Sequence, residues 1–288
     1  MRGALAALAL ISALAQAQPV TRIVVPFAAG GVQDIVARSF NAELGSLLGR
    51  TVIVENRAGA GGTIGTGSVA KSAPDGQTLI LAAASHTIAG SLYTKLPYDP
   101  LQDFTPIAHI GNVDYVLLIS STVPAKTVAE FVAYAKANPG KLNFAVSGIG
   151  GAPQLAGIEF AQRTGVTWTY IPYKGGSDAV AAVAAGQADV LFNGMLATWP
   201  TVQGGRLRAI AISSAKRVPS APDTPTVAEQ GLPGFETGSF QGVVGPNGLP
   251  RDTLAKLNTE LVKVLNTQEM KDRFAKQGTE VRTGTPES

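Results

Sequence analysis

Two glycine-rich stretches carry the residue types best placed to do chemistry. The first is Pro26-Phe-Ala-Ala-Gly-Gly-Val-Gln-Asp34, set between an apolar strand-like run and a helical pattern. Gly30 and Gly31 let a backbone turn tightly and approach a ligand closely. The helix start that follows presents unpaired N–H groups and the positive end of a dipole, which together suit an anion. Candidate contacts here are Phe27, Ala29, Gly30, Gly31 and Gln33. The same segment also reads as an ordinary strand-to-helix turn with Asp34 as a first-turn acid. The second stretch, Ser147-Gly-Ile-Gly-Gly-Ala-Pro153, repeats the grammar, and Pro153 suits a first helical turn. Its candidates are Ser147, Gly150, Gly151 and Ala152. Two such helix starts facing each other would hold one or more carboxylates by backbone N–H groups, with no dedicated arginine.

Other chemistry is thin. Of the two histidines, His86 and His109, neither has a metal-ligand partner at i+3 or i+4, so no metal is expected. His86 follows a strand-like run in Ser85-His86-Thr87, where a structural role and a ligand contact both remain open. His109 reads as structural. Asn193 ends an apolar run from Val190, and either faces a cleft or serves a turn. No Gly-x-Ser-x-Gly elbow is present. The segment Gly59 to Gly67 (GAGGTIGTG) fails as a phosphate loop, because Ala70 stands where glycine must precede Lys71-Ser72. No cofactor and no catalytic residue are therefore expected.

The surrounding patterns say what positions these residues. Thr21 to Phe27 and Thr51 to Glu55 read as strands, and between them Val36, Phe40, Leu44, Leu47 and Leu48 mark a helical face closed by Gly49. A short helix near Gly65 to Lys71 and a strand from Gln77 to Ala83 follow. The grammar restarts after Val113, with strands at Val116 to Ile119, Leu142 to Val146, Trp168 to Ile171, Val190 to Phe192 and Leu207 to Ile212. Thr127-Val-Ala-Glu130 matches a capping box, and Ser177 or Asp178 is the expected cap of a helix ending at Gly186. Strands alternating with helices imply a parallel sheet covered on both faces. Two α/β units follow, residues 18–121 plus 226–288 and residues 122–225, with a cleft between them as the natural ligand site.

The 288 residues are 45% hydrophobic and 15% charged, enough for two cores and too apolar for disorder. The formal charge of +3 comes from scattered lysines and arginines with few aromatics, so nucleic acid is not an expected partner. With no cysteine, disulfides and thiolate chemistry are ruled out. Met1-Arg2, the apolar run Ala4 to Leu14 and Ala15-Gln16-Ala17 have the form of a secretory signal peptide over residues 1–17, cleaved after Ala17. That apolar run is about 11 residues, short of the roughly 20 needed to cross a bilayer.

Several long motifs then occur in order. They are Pro26-Phe27-x-x-Gly30-Gly31-x-x-Asp34-x-x-Ala37-Arg38, Val54-Glu55-Asn56-Arg57-x-Gly59-Ala60-Gly61-Gly62, Leu96-Pro97-Tyr98-Asp99-Pro100-x-x-Asp103-Phe104, Pro172-Tyr173-Lys174-Gly175 and Pro225-Thr226-Val227-Ala228-Glu229. In these the chain resembles the Bug family of periplasmic binding proteins, the solute receptors of tripartite tricarboxylate transporters. The resemblance implies a type II-like periplasmic binding protein of two Rossmann-like domains, joined by two crossover strands and closing on a ligand. It implies carboxylates held by main-chain N–H groups and waters at Phe27 to Gly31 and Ser147 to Ala152, with Ser85 and His86 lining the first domain's side. Asn193 falls where the family often has Asp, and Gln154 where His is frequent. This favours a plain di- or tricarboxylate or an aromatic acid over an amino acid. The implied partners are that small carboxylate and membrane permease subunits, and a monomer is expected. The family's closing helix beyond Thr285-Pro-Glu is missing from this sequence, which predicts lower stability. An exported enzyme acting on a carboxylate or its ester, and a solute sensor for a signalling partner, are the alternatives.

Overall fold

The computed structural model describes residues 19–276 and 278–286. The proposed leader, residues 1–17, lies outside them. Ten strands and nine α-helices appear among the described residues, and no helix there is long and apolar enough to cross a membrane.

The first half begins as its periodicity dictates. Strand β1 (Val20–Val25) and strand β2 (Thr51–Asn56) pair in parallel around helix α1 (Val32–Leu48). Val36, Phe40, Leu44 and Leu48 recur every four residues on α1 and are buried, contributing on the order of 1.5–3 kcal/mol each. Gly49 ends the helix in the left-handed conformation, at φ 67°. A single turn at Ala60–Gly62 leads into α2 (Thr63–Ala70), then β3 (Thr78–Ala83), which pairs with β1, and α3 (Ala84–Leu92).

Strand β4 (Phe104–Ile119) is 16 residues long and belongs to two sheets. Phe104 to Asp114 pair with β9 (Gly238–Pro246), with register shifts after Pro106 and after His109, and β9 in turn pairs with β3. Tyr115 to Ile119 instead pair with β7 (Val190–Gly194) and β8 (Arg208–Ile212). The second sheet continues through β5 (Asn143–Val146) to β6 (Thr169–Pro172), both parallel. Helices α4 (Val128–Ala137), α5 (Ala152–Thr164), α6 (Gly176–Ala184) and α7 (Met195–Gln203) connect these strands. The chain recrosses at Thr237, whose N–H donates to the Ser213 carbonyl at 3.0 Å. Ser213 N–H in turn donates to the Tyr115 carbonyl at 2.8 Å. Helices α8 (Arg251–Leu265) and α9 (Gln268–Ala275) then return to the first sheet, and β10 (Thr279–Val281) pairs with β4 at Gly111 to Val113.

Each sheet therefore has its own apolar layers. One core joins α1, α8 and α9 to the first sheet, and another gathers Phe131, Phe144, Phe160, Phe192 and Phe235 on the second. Val227 and Leu232 also pack in that second core, which reaches past residue 226. Helix α7 sits between the lobes: Leu196 packs into the first sheet's core and Met195 into the second's.

Candidate functional site

A cleft lies between the lobes, at the carboxyl ends of the parallel strands. Five helices begin there. Gly31 and Gln33 come from the start of α1, Ser85 from α3, Gly151 to Pro153 from α5, Gly176 from α6 and Gly194 from the cap of α7. The N-cap residues are Gly31, Ala83, Gly151, Gly175 and Gly194, and none caps its helix with a side chain. Among the described residues, the helices capped by their own N-cap side chain, α4 by Thr127 and α9 by Thr267, do not reach the cleft. No charged side chain lines it. The positive character there comes from the helix-start dipoles and backbone N–H groups, with neutral donors such as Gln33 and Asn193 beside them; the first N–H of α3 is already met by Ser239 Oγ.

The loop before α1 is braced from below. Gly30, at φ 77°, donates its N–H to Asp34 Oδ2 at 2.9 Å. Asp34 Oδ1 accepts from Arg38 Nε at 2.9 Å, and Arg38 Nη2 donates to Asn56 Oδ1 at 3.0 Å. Asn56 Nδ2 completes the chain by donating to the Phe27 carbonyl at 3.1 Å. Burial pushes the Asp34 carboxyl up, but the hydrogen bonds from Arg38, Gly30 and Asn56 outweigh it and hold the group below its ordinary range. The α5 loop repeats the device with a neutral partner: Gly150 N–H donates to Gln154 Oε1 at 2.7 Å. Asp34 and Gln154 thus fix the two loops from four residues downstream.

The structure brings together Phe27, Gly31, Gln33, Ser85, Ser147, Gly151, Ala152 and Asn193 in the cleft wall. It places four other candidates elsewhere. The Gly30 and Gly150 N–H groups are taken by Asp34 and Gln154. The Ala29 carbonyl accepts from Ser177 Oγ at 2.8 Å, a bond from one lobe to the other. Ser177 is consequently a latch and not the helix cap its type suggested; Gly175 is the cap. His86 turns away from the cleft. Its Nε2 lies 2.7 Å from the Pro100 carbonyl and its ring packs against Phe104 and Tyr98. Burial lowers its pKa, against the opposing effect of the Pro100 bond, so it is held neutral. His109 Nδ1 meets the Arg282 carbonyl at 2.6 Å.

Residues beyond sequence reasoning complete the wall. Tyr115 from β4, Ser239 and Gln241 from β9 and Gly176 from α6 all line it. Burial raises the Tyr115 phenol above its ordinary range, with a bond to Ser239 opposing, so it stays protonated. Among the described residues no group of His, Cys, Asp and Glu could hold a metal ion.

A two-lobed α/β scaffold with a cleft between the lobes is the architecture of solute-binding receptors. The chain belongs to the tripartite tricarboxylate transporter receptor family, which it matches over residues 36–287. It is 36% identical to the protein BugT of Bordetella pertussis over 273 residues, covering 94% of this chain and 83% of that protein. Among solved structures it is similar to the periplasmic binding protein BugD, with a TM-score of 0.90, 37% identity and coverage of 93% and 90% of the two chains. It is equally similar in fold to R. palustris Rpa4515 with adipate, at TM-score 0.90, 33% identity and coverage of 93% and 90%. MatC of Rhodopseudomonas palustris with bound malate follows at TM-score 0.87 and 35% identity, covering 91% and 90%.

Proposed function

We propose that this chain is an exported receptor that captures a small carboxylate in the interlobe cleft and presents it to the membrane subunits of a tripartite tricarboxylate-type transporter. The observation that carries the reading is the ring of five uncapped helix starts around a wall with no charged side chain. A carboxylate accepting a backbone N–H gains about 1.5–3 kcal/mol per bond. Similar structures were solved with adipate and with malate bound, and both are small carboxylates.

One lobe is built on the first sheet and the other on the second, with the chain crossing near Asp114 and again near Thr237. Phe27, Gly31 and Gln33 face Ser147, Gly151 and Ala152 across the cleft, and Asn193 stands at its floor as a further ligand contact. The receptor binds without turnover, works outside the cytoplasmic membrane after cleavage behind Ala17, and acts as a monomer. The test is a thermal-shift screen of residues 18–288 against dicarboxylates, citrate, aromatic acids and acidic amino acids. A ligand at 100 times its Kd adds about 2.7 kcal/mol, which moves the midpoint by several degrees. A cooperative melt that no acid moves, or product formed from a bound acid, would overturn the reading.

A further inference from the structure

Two buried polar atoms in the cleft wall have no partner within the protein. Asn193 is 4% exposed and its Nδ2 donates to nothing; Gln241 is 2% exposed and its Oε1 accepts from nothing. Leaving either unpaired away from water is unfavourable. They reach the cleft from different sheets, Asn193 on β7 opposite Val116 and Gln241 on β9 opposite Ala83 and Gly111.

Among the described residues the Gln241 amide has Ser239 as its polar neighbour. Its Nε2 leans on Ser239 Oγ at 3.5 Å, and that hydroxyl is itself fixed, accepting from Ala84 N–H at 3.0 Å and donating to the Phe240 carbonyl at 3.0 Å. The end left over is therefore an acceptor. A carboxylate cannot satisfy it, because an ionised carboxylate only accepts. An ammonium could, but no carboxylate side chain lines the cleft to balance a buried cation. The group that fits is neutral and can donate.

We infer that the solute carries a hydroxyl in addition to its carboxylate, its proton taken by Gln241 Oε1, while Asn193 Nδ2 donates to an oxygen of the same solute. The preferred ligand class is a hydroxy acid over the matching unsubstituted acid. This rests on the receptor reading above and narrows it. A site built to bond a hydroxyl discriminates strongly against an analogue lacking it, because its own polar atoms are then stranded.

The experiment is calorimetric titration of the mature protein with acids paired by one hydroxyl: malate and succinate, 2-hydroxyglutarate and glutarate, mandelate and phenylacetate. The expected result is a preference of about tenfold or more for the hydroxylated member of whichever pair binds. Replacing Gln241→Met should reduce that preference to under about threefold while the unsubstituted acid still binds. Equal affinity within a pair, or a preference for the unsubstituted acid, overturns the inference and means water meets Gln241; the receptor reading then stands. A preference that persists in Gln241→Met overturns the assignment to this residue. Failure of every acid in every pair removes the receptor reading and this one with it.

Discussion

Asp114 sits where β4 passes from one sheet to the other, and replacing it with asparagine should stabilise the protein in a pH-dependent way. Its carboxyl is pushed up to about 6, first by burial and then by the nearby charge of Glu236, with Arg282 acting in the opposite direction. In the unfolded chain it returns to 3.8. The native protein thus holds this proton more tightly than the unfolded chain does. Below about pH 4 both states are protonated and the group's contribution is fully present. As pH rises from about 4 to 6 the unfolded chain releases the proton first, and stability falls; above about 6 the loss is complete. Two units at about 1.4 kcal/mol each set a ceiling near 3 kcal/mol, which partial solvent contact lowers to roughly 1–2 kcal/mol. Asp114→Asn removes the buried charge and keeps the shape. At pH 7.5 the variant should unfold in urea with about 1–2 kcal/mol more stability than the parent, and at pH 4 the two should converge. Carboxyls away from this site are common to both proteins, so the difference between them isolates Asp114 together with its coupling to Glu236. A variant no more stable at pH 7.5, or a gap that does not change with pH, would refute the reasoning.

Three other substitutions probe the cleft. Asp34→Ala strands the Gly30 N–H and takes one partner from Arg38, which keeps Asn56; it should cost about 1–2 kcal/mol in urea unfolding and weaken solute binding in calorimetry. Gly176→Ala would place a methyl 3.0 Å from Asn193 Oδ1 and 3.1 Å from its Nδ2; affinity should fall about tenfold or more while the melting midpoint stays within a few degrees. Ser177→Ala removes the bond to the Ala29 carbonyl across the lobes; solute release measured by stopped flow should speed up severalfold, with stability changed by under about 1 kcal/mol.

How far the site could be read in advance depended on how local its residues are. Phe27 to Gly31 and Ser147 to Ala152 are legible because a glycine-rich turn between an apolar strand and an amphipathic helix is a local pattern. Even there, the sequence does not say which N–H groups the protein keeps for itself. Gly30 and Gly150 are consumed by Asp34 and Gln154, which only the folded loop geometry reveals. His86 was ambiguous because its fate depends on Tyr98, Pro100 and Phe104, which pack over it from a later loop. Ser239 and Gln241 lie in Gly238–Pro246, a strand with little alternation, whose partners β3 and β4 are far away in the chain. Similarly, Val116 to Ile119 was readable as a strand, but its extension back to Phe104 was not. That stretch contains Pro106 and Gly111, where the register with β9 shifts.

The continuity of β4 has a consequence for how any movement of the lobes would be seen. A strand paired on both sides up to Val113 and again from Val116, and held by β9 at Asp114 and β7 at Tyr115 between, resembles a torsion bar more than a loose joint. Opening would twist it through small changes shared among several residues, each keeping its ladder bonds. Amide exchange in Val113 to Leu117 should then be slow with or without solute. The amides that report occupancy should be those at the bare starts of α1, α5 and α6, so the axis of the motion would be its quietest part.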